Sequence, residues 1–175
     1  MEDQLEEEKK DNLWRGVQTA VGSICMHVFL GSFYSWGQLN VYVTSYLYQF
    51  DQSLSLSITQ LVFPLQLLVF TLFLPVGLYL RRTFHPRVGL LAGSICVLLG
   101  LLIASFMHTF LLFAFFYGVF FGAGMGIAYL NALMGALEHF PRKKEALHLL
   151  LLLFFGLGSL LTAFVSAAVV NPHNE

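Results

Sequence analysis

The placement of charge along this chain constrains its fold more than any other feature. No Asp, Glu, Lys or Arg lies between Arg15 and Asp51, between Asp51 and Arg81, between Arg87 and Glu138, or between Glu145 and Glu175. The shortest of these gaps is 29 residues and the longest 50. A bilayer core takes about 20 mostly apolar residues per helix, so the first, second and fourth gaps each predict one span and the third predicts two. The expected architecture is therefore an all-α, polytopic membrane bundle of five transmembrane helices, with the lipid bilayer as its main partner. Charged residues make up only 11% of the chain, against about 25% in soluble domains.

The spans are expected at about 16–37, 57–79, 88–106, 110–138 and 147–170, between an acidic tail (1–15) and a short tail (171–175). The break between the third and fourth rests on His108 and Thr109. Residues 42–57, rich in Tyr, Thr and Ser, suit an interfacial segment. Basic residues set the orientation, because cytoplasmic loops retain them during insertion. Lys9, Lys10 and Arg15 precede the first span, Arg81, Arg82 and Arg87 lie near the second loop, and Arg142, Lys143 and Lys144 form the fourth, while the alternate loops carry none. This predicts a cytoplasmic N-terminus and a non-cytoplasmic C-terminus. The acidic N-terminus and the absence of a cleavage pattern argue against a cleaved signal peptide.

A net charge of -1 leaves no basic field for phosphate, so no nucleic-acid partner is expected. Cys25 and Cys96 both fall inside apolar spans, where they read as small buried hydrophobes. No phosphate-binding loop, paired intramembrane carboxylates or Cys/His cluster at ligand spacing is present. The expectation is a non-enzyme with no cofactor and no metal site, in which Glu138, His139 and His148 belong to solvated loops.

Small residues mark expected helix contacts, since close van der Waals approach drives helix association in lipid. Gly89, Gly93, Cys96, Gly100 and Ala104 share a side of the third span, and Gly118, Gly122 and Gly126 recur every fourth residue in the fourth. Pro64 and Pro75 are expected to bend or loosen the second span. The first span carries a polar stripe of Thr19, Ser23, His27, Gly31, Tyr34 and Gln38. One reading is a water-filled path with His27 halfway along it; the other is interhelical hydrogen bonding. In the fourth span, Tyr117, Gly124, Ala128, Asn131, Gly135 and Glu138 share one face, and the triple-glycine seam with Tyr129 shares a nearly opposite one. If the glycine seam abuts a neighbour, Asn131 faces the cavity and Tyr129 packs. Ser159, Thr162 and Ser166 in the fifth span suit helix contacts.

In order and spacing these pieces resemble the N-terminal half of a major facilitator superfamily transporter, most closely the oxalate:formate antiporter and monocarboxylate transporter branch. The residues that carry the likeness are Gly31-Ser-Phe-Tyr34-Ser-Trp36-Gly37, Tyr117-Gly118, Gly122-Ala-Gly124-Met-Gly126-Ile-Ala-Tyr129, Phe140-Pro141-Arg142-Lys143-Lys144, Gly156-Leu-Gly158-Ser159 and Asn171-Pro172. The loop after the second span keeps Gly77, Arg82, Phe84, Pro86 and Arg87, with no Asp and with His85 where the family's second Gly would sit. The resemblance implies a carrier of a small organic anion working by alternating access, with Tyr34 and Tyr129 lining an anion site and Arg82 and Arg87 in a cytoplasmic gate loop. It also implies a missing sixth helix and a missing C-terminal half or partner helices, because the substrate of such carriers lies between two six-helix halves. The alternative is a non-transporting membrane subunit or interaction protein that reuses the half-fold.

Overall fold

The computed structural model describes the backbone of residues 2–170 and the side chains of residues 12–169. The short tail 171–175, the Asn171-Pro172 pair and the side chains of the acidic tail lie outside these described residues. All regular structure among them is helical, and five stretches are long and apolar enough to cross a membrane: Asn12–Tyr48, Leu56–Thr83, Pro86–Ser105, Phe110–His139 and Pro141–Val169. Only a closed set of backbone hydrogen bonds survives in hydrocarbon, and the helix supplies it within one segment.

The first span consists of α1 (Glu2–Leu30), a 3-10 segment (Gly31–Ser35) and α2 (Trp36–Tyr48). The helix thus continues through half of the stretch expected at the interface, and the loop is confined to residues 49–55. Polar side chains satisfied inside the fold account for this difference. The Thr44 hydroxyl donates to the Asn40 carbonyl at 2.6 Å and pairs with the Thr59 hydroxyl at 2.6 Å, tying α2 to α3 (Leu56–Thr59). In the loop, Asp51 accepts from the Ser53 hydroxyl and amide, which hold its carboxyl below the usual carboxylate range.

The second span continues from α3 into α4 (Val62–Thr83). Pro64 falls in the first turn of α4, and the α-helix is interrupted just before it, at Gln60 and Leu61 between α3 and α4, the loosening expected where a proline lacks an N–H and crowds the carbonyl four residues earlier. Pro75 lies inside α4, which runs on through it to Thr83. α5 (Pro86–Ser105) has Pro at its first position and a cap in which the Arg87 amide donates to His85 Nδ1. Residues 106–109 break the helix where His108 and Thr109 predicted. The fourth span runs through α6 (Phe110–Phe113), a π-helical segment (Ala114–Phe120) and α7 (Phe121–His139), and the fifth through a 3-10 turn (Pro141–Lys143) into α8 (Lys144–Val170).

The fourth span is the hub, with the second, third and first spans against it and the fifth against the first. Its glycine seam abuts a neighbour as expected, and that neighbour is α4: Gly118 meets Leu65, Gly122 meets Gln66, and Gly126 meets Phe70 and Phe73. The opposite face is closed as well, since Gly124 and Ala128 fit against Gly93 and Val97 of α5. Gly31 and Gly158 form an equally close contact between the first and fifth spans, where an added Cβ would strike backbone carbonyls of Phe155 and Val28. Each glycine is needed because only a backbone without Cβ permits that approach.

Candidate functional site

The polar stripe of the first span divides at Gly31. Below it, Ser23 is buried and donates to the Ala132 carbonyl at 2.7 Å, which joins α1 to α7. His27 is 0% exposed, and its Nδ1 lies 2.7 Å from the Ser23 carbonyl. A carbonyl can only accept, so Nδ1 donates and Nε2 carries a lone pair in the neutral ring. Nε2 has no hydrogen-bond partner. Above Gly31, Tyr34 is 54% exposed and Gln38 is exposed. Thr19 bonds its own helix at the Arg15 carbonyl. In the deep half only Ser23 bonds to another helix, while Thr19 and His27 bond carbonyls of α1 itself, and the outer half, Tyr34 and Gln38, is exposed.

Beside Tyr34 lies a cleft of about 220 Å³, walled mainly by Phe33, Tyr34, Phe70, Met125, Tyr129 and Phe155. The rings are mutually engaged: Tyr34 meets Phe155 edge-on at 5.6 Å, Tyr129 lies 5.8 Å from Phe155, and Phe70 lies 5.7 Å from Tyr129. His27 sits behind this wall, 5.4 Å from Tyr129 and 6.3 Å from Phe155 between ring centres. The two phenols are the only side-chain hydrogen-bond donors lining the cleft, and the remaining walls are apolar. Such a site suits a small ligand with one polar end.

For the fourth span the predicted roles are reversed. Tyr129 lines the cleft, whereas Asn131 is 3% exposed within the packed interface, donating to the Gly77 and Ile127 carbonyls at 3.1 and 2.7 Å with Gly89 against its side chain. The physical reason is that both faces of α7 are covered, by α4 and α5, and Tyr129 emerges at the edge where the first and fifth spans leave a gap. Trp36 is buried against Phe113 and Tyr117.

Arg82 and Arg87 are exposed at the basic end. The arginine that turns inward is Arg81, whose side chain is 8% exposed, paired with Glu138 at 2.6 Å and 3.4 Å from the Asn131 carbonyl. Sequence reasoning missed this pair by assigning Glu138 to a solvated loop. The available signal was that Arg81 and Glu138 each close an apolar run on spans that pack together. Among the described residues no His, Cys, Asp and Glu side chains cluster as a metal site.

No family model and no solved structure matches the chain. It is 30% identical over 199 residues to apicoplast pyruvate carrier 1 of Toxoplasma gondii, an alignment covering 94% of this chain and 36% of that protein. The chain therefore spans about a third of the length of that relative. Taken with five apolar helices packed around a glycine-seamed hub, this likeness makes the chain an integral, multi-pass membrane protein that resembles one part of a carrier.

Proposed function

We propose that this bundle is part of a carrier for a small organic anion of the pyruvate class, built on the major facilitator plan and working by alternating access. The observation that carries this reading is the aromatic cleft between Tyr34 and Tyr129, with the unpartnered Nε2 of His27 directly behind its wall. The similarity to a pyruvate carrier supports it. The phenols offer hydrogen bonds to a carboxylate, and the phenyl walls accept a short apolar body. Burying a carboxylate without a cation is costly, so the second wall of the pathway, supplied by further helices, is the expected source of positive charge.

Uptake of radiolabelled pyruvate by the intact carrier tests the reading. Tyr129→Ala is expected to reduce uptake at least tenfold at unchanged protein level. Tyr129→Phe is expected to raise KM about tenfold, since a hydrogen bond to a charged group contributes about 1.5–3 kcal/mol. A Tyr34→Ala/Tyr129→Ala carrier that takes up pyruvate at the wild-type rate would sink it.

We place the basic end of the bundle in the cytoplasm on the basic-residue rule. Single cysteines at positions 83 and 143 are expected to react with a membrane-impermeant thiol reagent from the cytosolic side only, and one at position 52 from the other side only. Labelling of 52 and 83 from the same side contradicts this orientation.

A further inference from the structure

The π segment of the fourth span leaves one backbone carbonyl without a donor from its own helix. In an α-helix the Phe121 amide would serve the Tyr117 carbonyl, but here it bonds one residue further back, to Phe116. The next amide, that of Gly122, lies in α7, whose i→i−4 pattern directs it to Gly118. The missing donor comes from the second span, where Gln66 Nε2 donates to the Tyr117 carbonyl at 2.8 Å. Gln66 is 0% exposed, and its Oε1 has no partner. The glycine seam sets its position: an added Cβ at Gly122 would lie 2.9 Å from the Gln66 carbonyl, so α4 comes close enough to deliver the amide. Trp36 lies against the Tyr117 ring at 4.9 Å, with its Nε1 likewise unpartnered.

We propose that Gln66 is a latch on the fourth span: its side-chain amide holds the π turn, and withdrawing it lets the turn relax into α-helix and rotates the outer end of the span. An orphaned carbonyl is costly in hydrocarbon, so a Tyr117 carbonyl that loses Gln66 must find a donor in its own helix. The nearest is the Phe121 amide. Taking it frees the Phe116 carbonyl, which takes the Phe120 amide, and the shift passes along the segment one bond at a time. It can run only toward Phe110, because α7 is clamped by α4 at Gly122 and Gly126 and by α5 at Gly124. In that direction the helix ends at residues 106–109, where the residue released from the π turn can be absorbed. One segment with two hydrogen-bond arrangements, chosen by a bond from a different helix, is a two-state element through which movement of α4 reaches the far end of its neighbour. The inference concerns these helices alone and holds whatever the carrier moves.

Tyr117-Gly118 is the one Tyr-Gly pair in the sequence. The full chain in lipid nanodiscs, labelled with 13C in its Tyr carbonyls and 15N in its Gly amides, therefore gives a single carbonyl–amide correlation by NMR, which reports the Tyr117 carbonyl. Spin labels on Leu112, in the outer stretch, and on Leu98 of α5, both exposed, report the setting of that end through the distance between them. Gln66→Met, which keeps the length of the side chain and removes its donor, is expected to move the Tyr117 signal and to shift the Leu112–Leu98 distance, because one residue of relaxation turns the outer stretch by about 100°. Gly122→Ala, which pushes α4 back with Gln66 intact, should do both as well. Leu68→Met, at an exposed position of α4, should do neither. A Tyr117 signal that neither Gln66→Met nor Gly122→Ala moves would show that Gln66 does not hold the carbonyl. A signal that moves while the distance stays would show that the π turn needs no latch. Either result overturns the inference, and if one of the two variants fails to fold, the other decides it.

Discussion

Gly158→Ala should lower the melting temperature of the detergent-solubilised bundle by about 10 °C. The new methyl group would be driven into the Val28 carbonyl, and Gly31 on the facing helix has the same relation to Phe155. Backbone atoms cannot rotate away, so the two spans must separate along the seam. Overpacking a tight interior costs about 1–3 kcal/mol and sometimes more, and in a chain of this size each kcal/mol moves the melting point by about 2–4 °C. Gly156 supplies the control. It lies on the same helix with nothing within 4 Å of an added Cβ, so Gly156→Ala should be neutral or stabilising by up to about 1 kcal/mol through helix propensity. Gly31→Ala combined with Gly158→Ala should be less than additive, because both act on one contact. If Gly158→Ala and Gly156→Ala melt together, the close approach of the first and fifth spans is wrong.

His27→Leu should separate stability from transport. The leucine removes a buried nitrogen that has no partner, and such an atom costs about 1–3 kcal/mol. The bundle is therefore expected to melt at the same temperature or a few degrees higher. Uptake of pyruvate by the intact carrier, in contrast, is expected to fall at least tenfold, because the proposed pathway loses the one imidazole behind the Tyr129 and Phe155 wall. A variant that is less stable but transports normally would assign His27 to packing alone.

Much of the fold was legible because a bilayer leaves few options. Charge-free runs located all five spans, and the small residues of the third and fourth marked seams that the structure closes at Gly93–Gly124 and Gly122–Gln66. The extension of the first span to Tyr48 was not legible, since Tyr, Thr and Ser suit an interface as well as a helix. Its outcome was decided by the pairing of Thr44 with Thr59, which are far apart in sequence pattern and close in space. The cleft was half legible. Tyr34 and Tyr129 carried a signal, but Phe155 did not, because one phenylalanine in an apolar helix looks like any other. The choice between Tyr129 and Asn131 depended on how many neighbours cover α7, a quantity that a helical wheel does not contain. The inward turn of Arg81 rather than Arg82 likewise depended on the phase of α4 at its last turn.

The π segment at Ala114–Phe120 bears on how the fourth span should be compared with other helices. A π turn holds one residue more than the α-helix over the same hydrogen-bonded loop, so the stretch through Phe113 and the stretch from Phe121 belong to two different wheels, offset by about 100°. Phe113, Tyr117 and Phe121 nevertheless form one stack, with Tyr117 nearly parallel to Phe121 at 5.3 Å and Trp36 lying against it at 4.9 Å. Phe113, Tyr117 and Phe121 recur every fourth residue, so the stack passes from one wheel to the other through the π segment. A chain of the same design that lacked it could keep the glycine seam against α4 unchanged and still present its outer aromatic residues a quarter-turn away from Trp36. In this helix an insertion or deletion is therefore a rotation of one end against the other, and an alignment that places a gap anywhere else in the span would pair residues that face different neighbours.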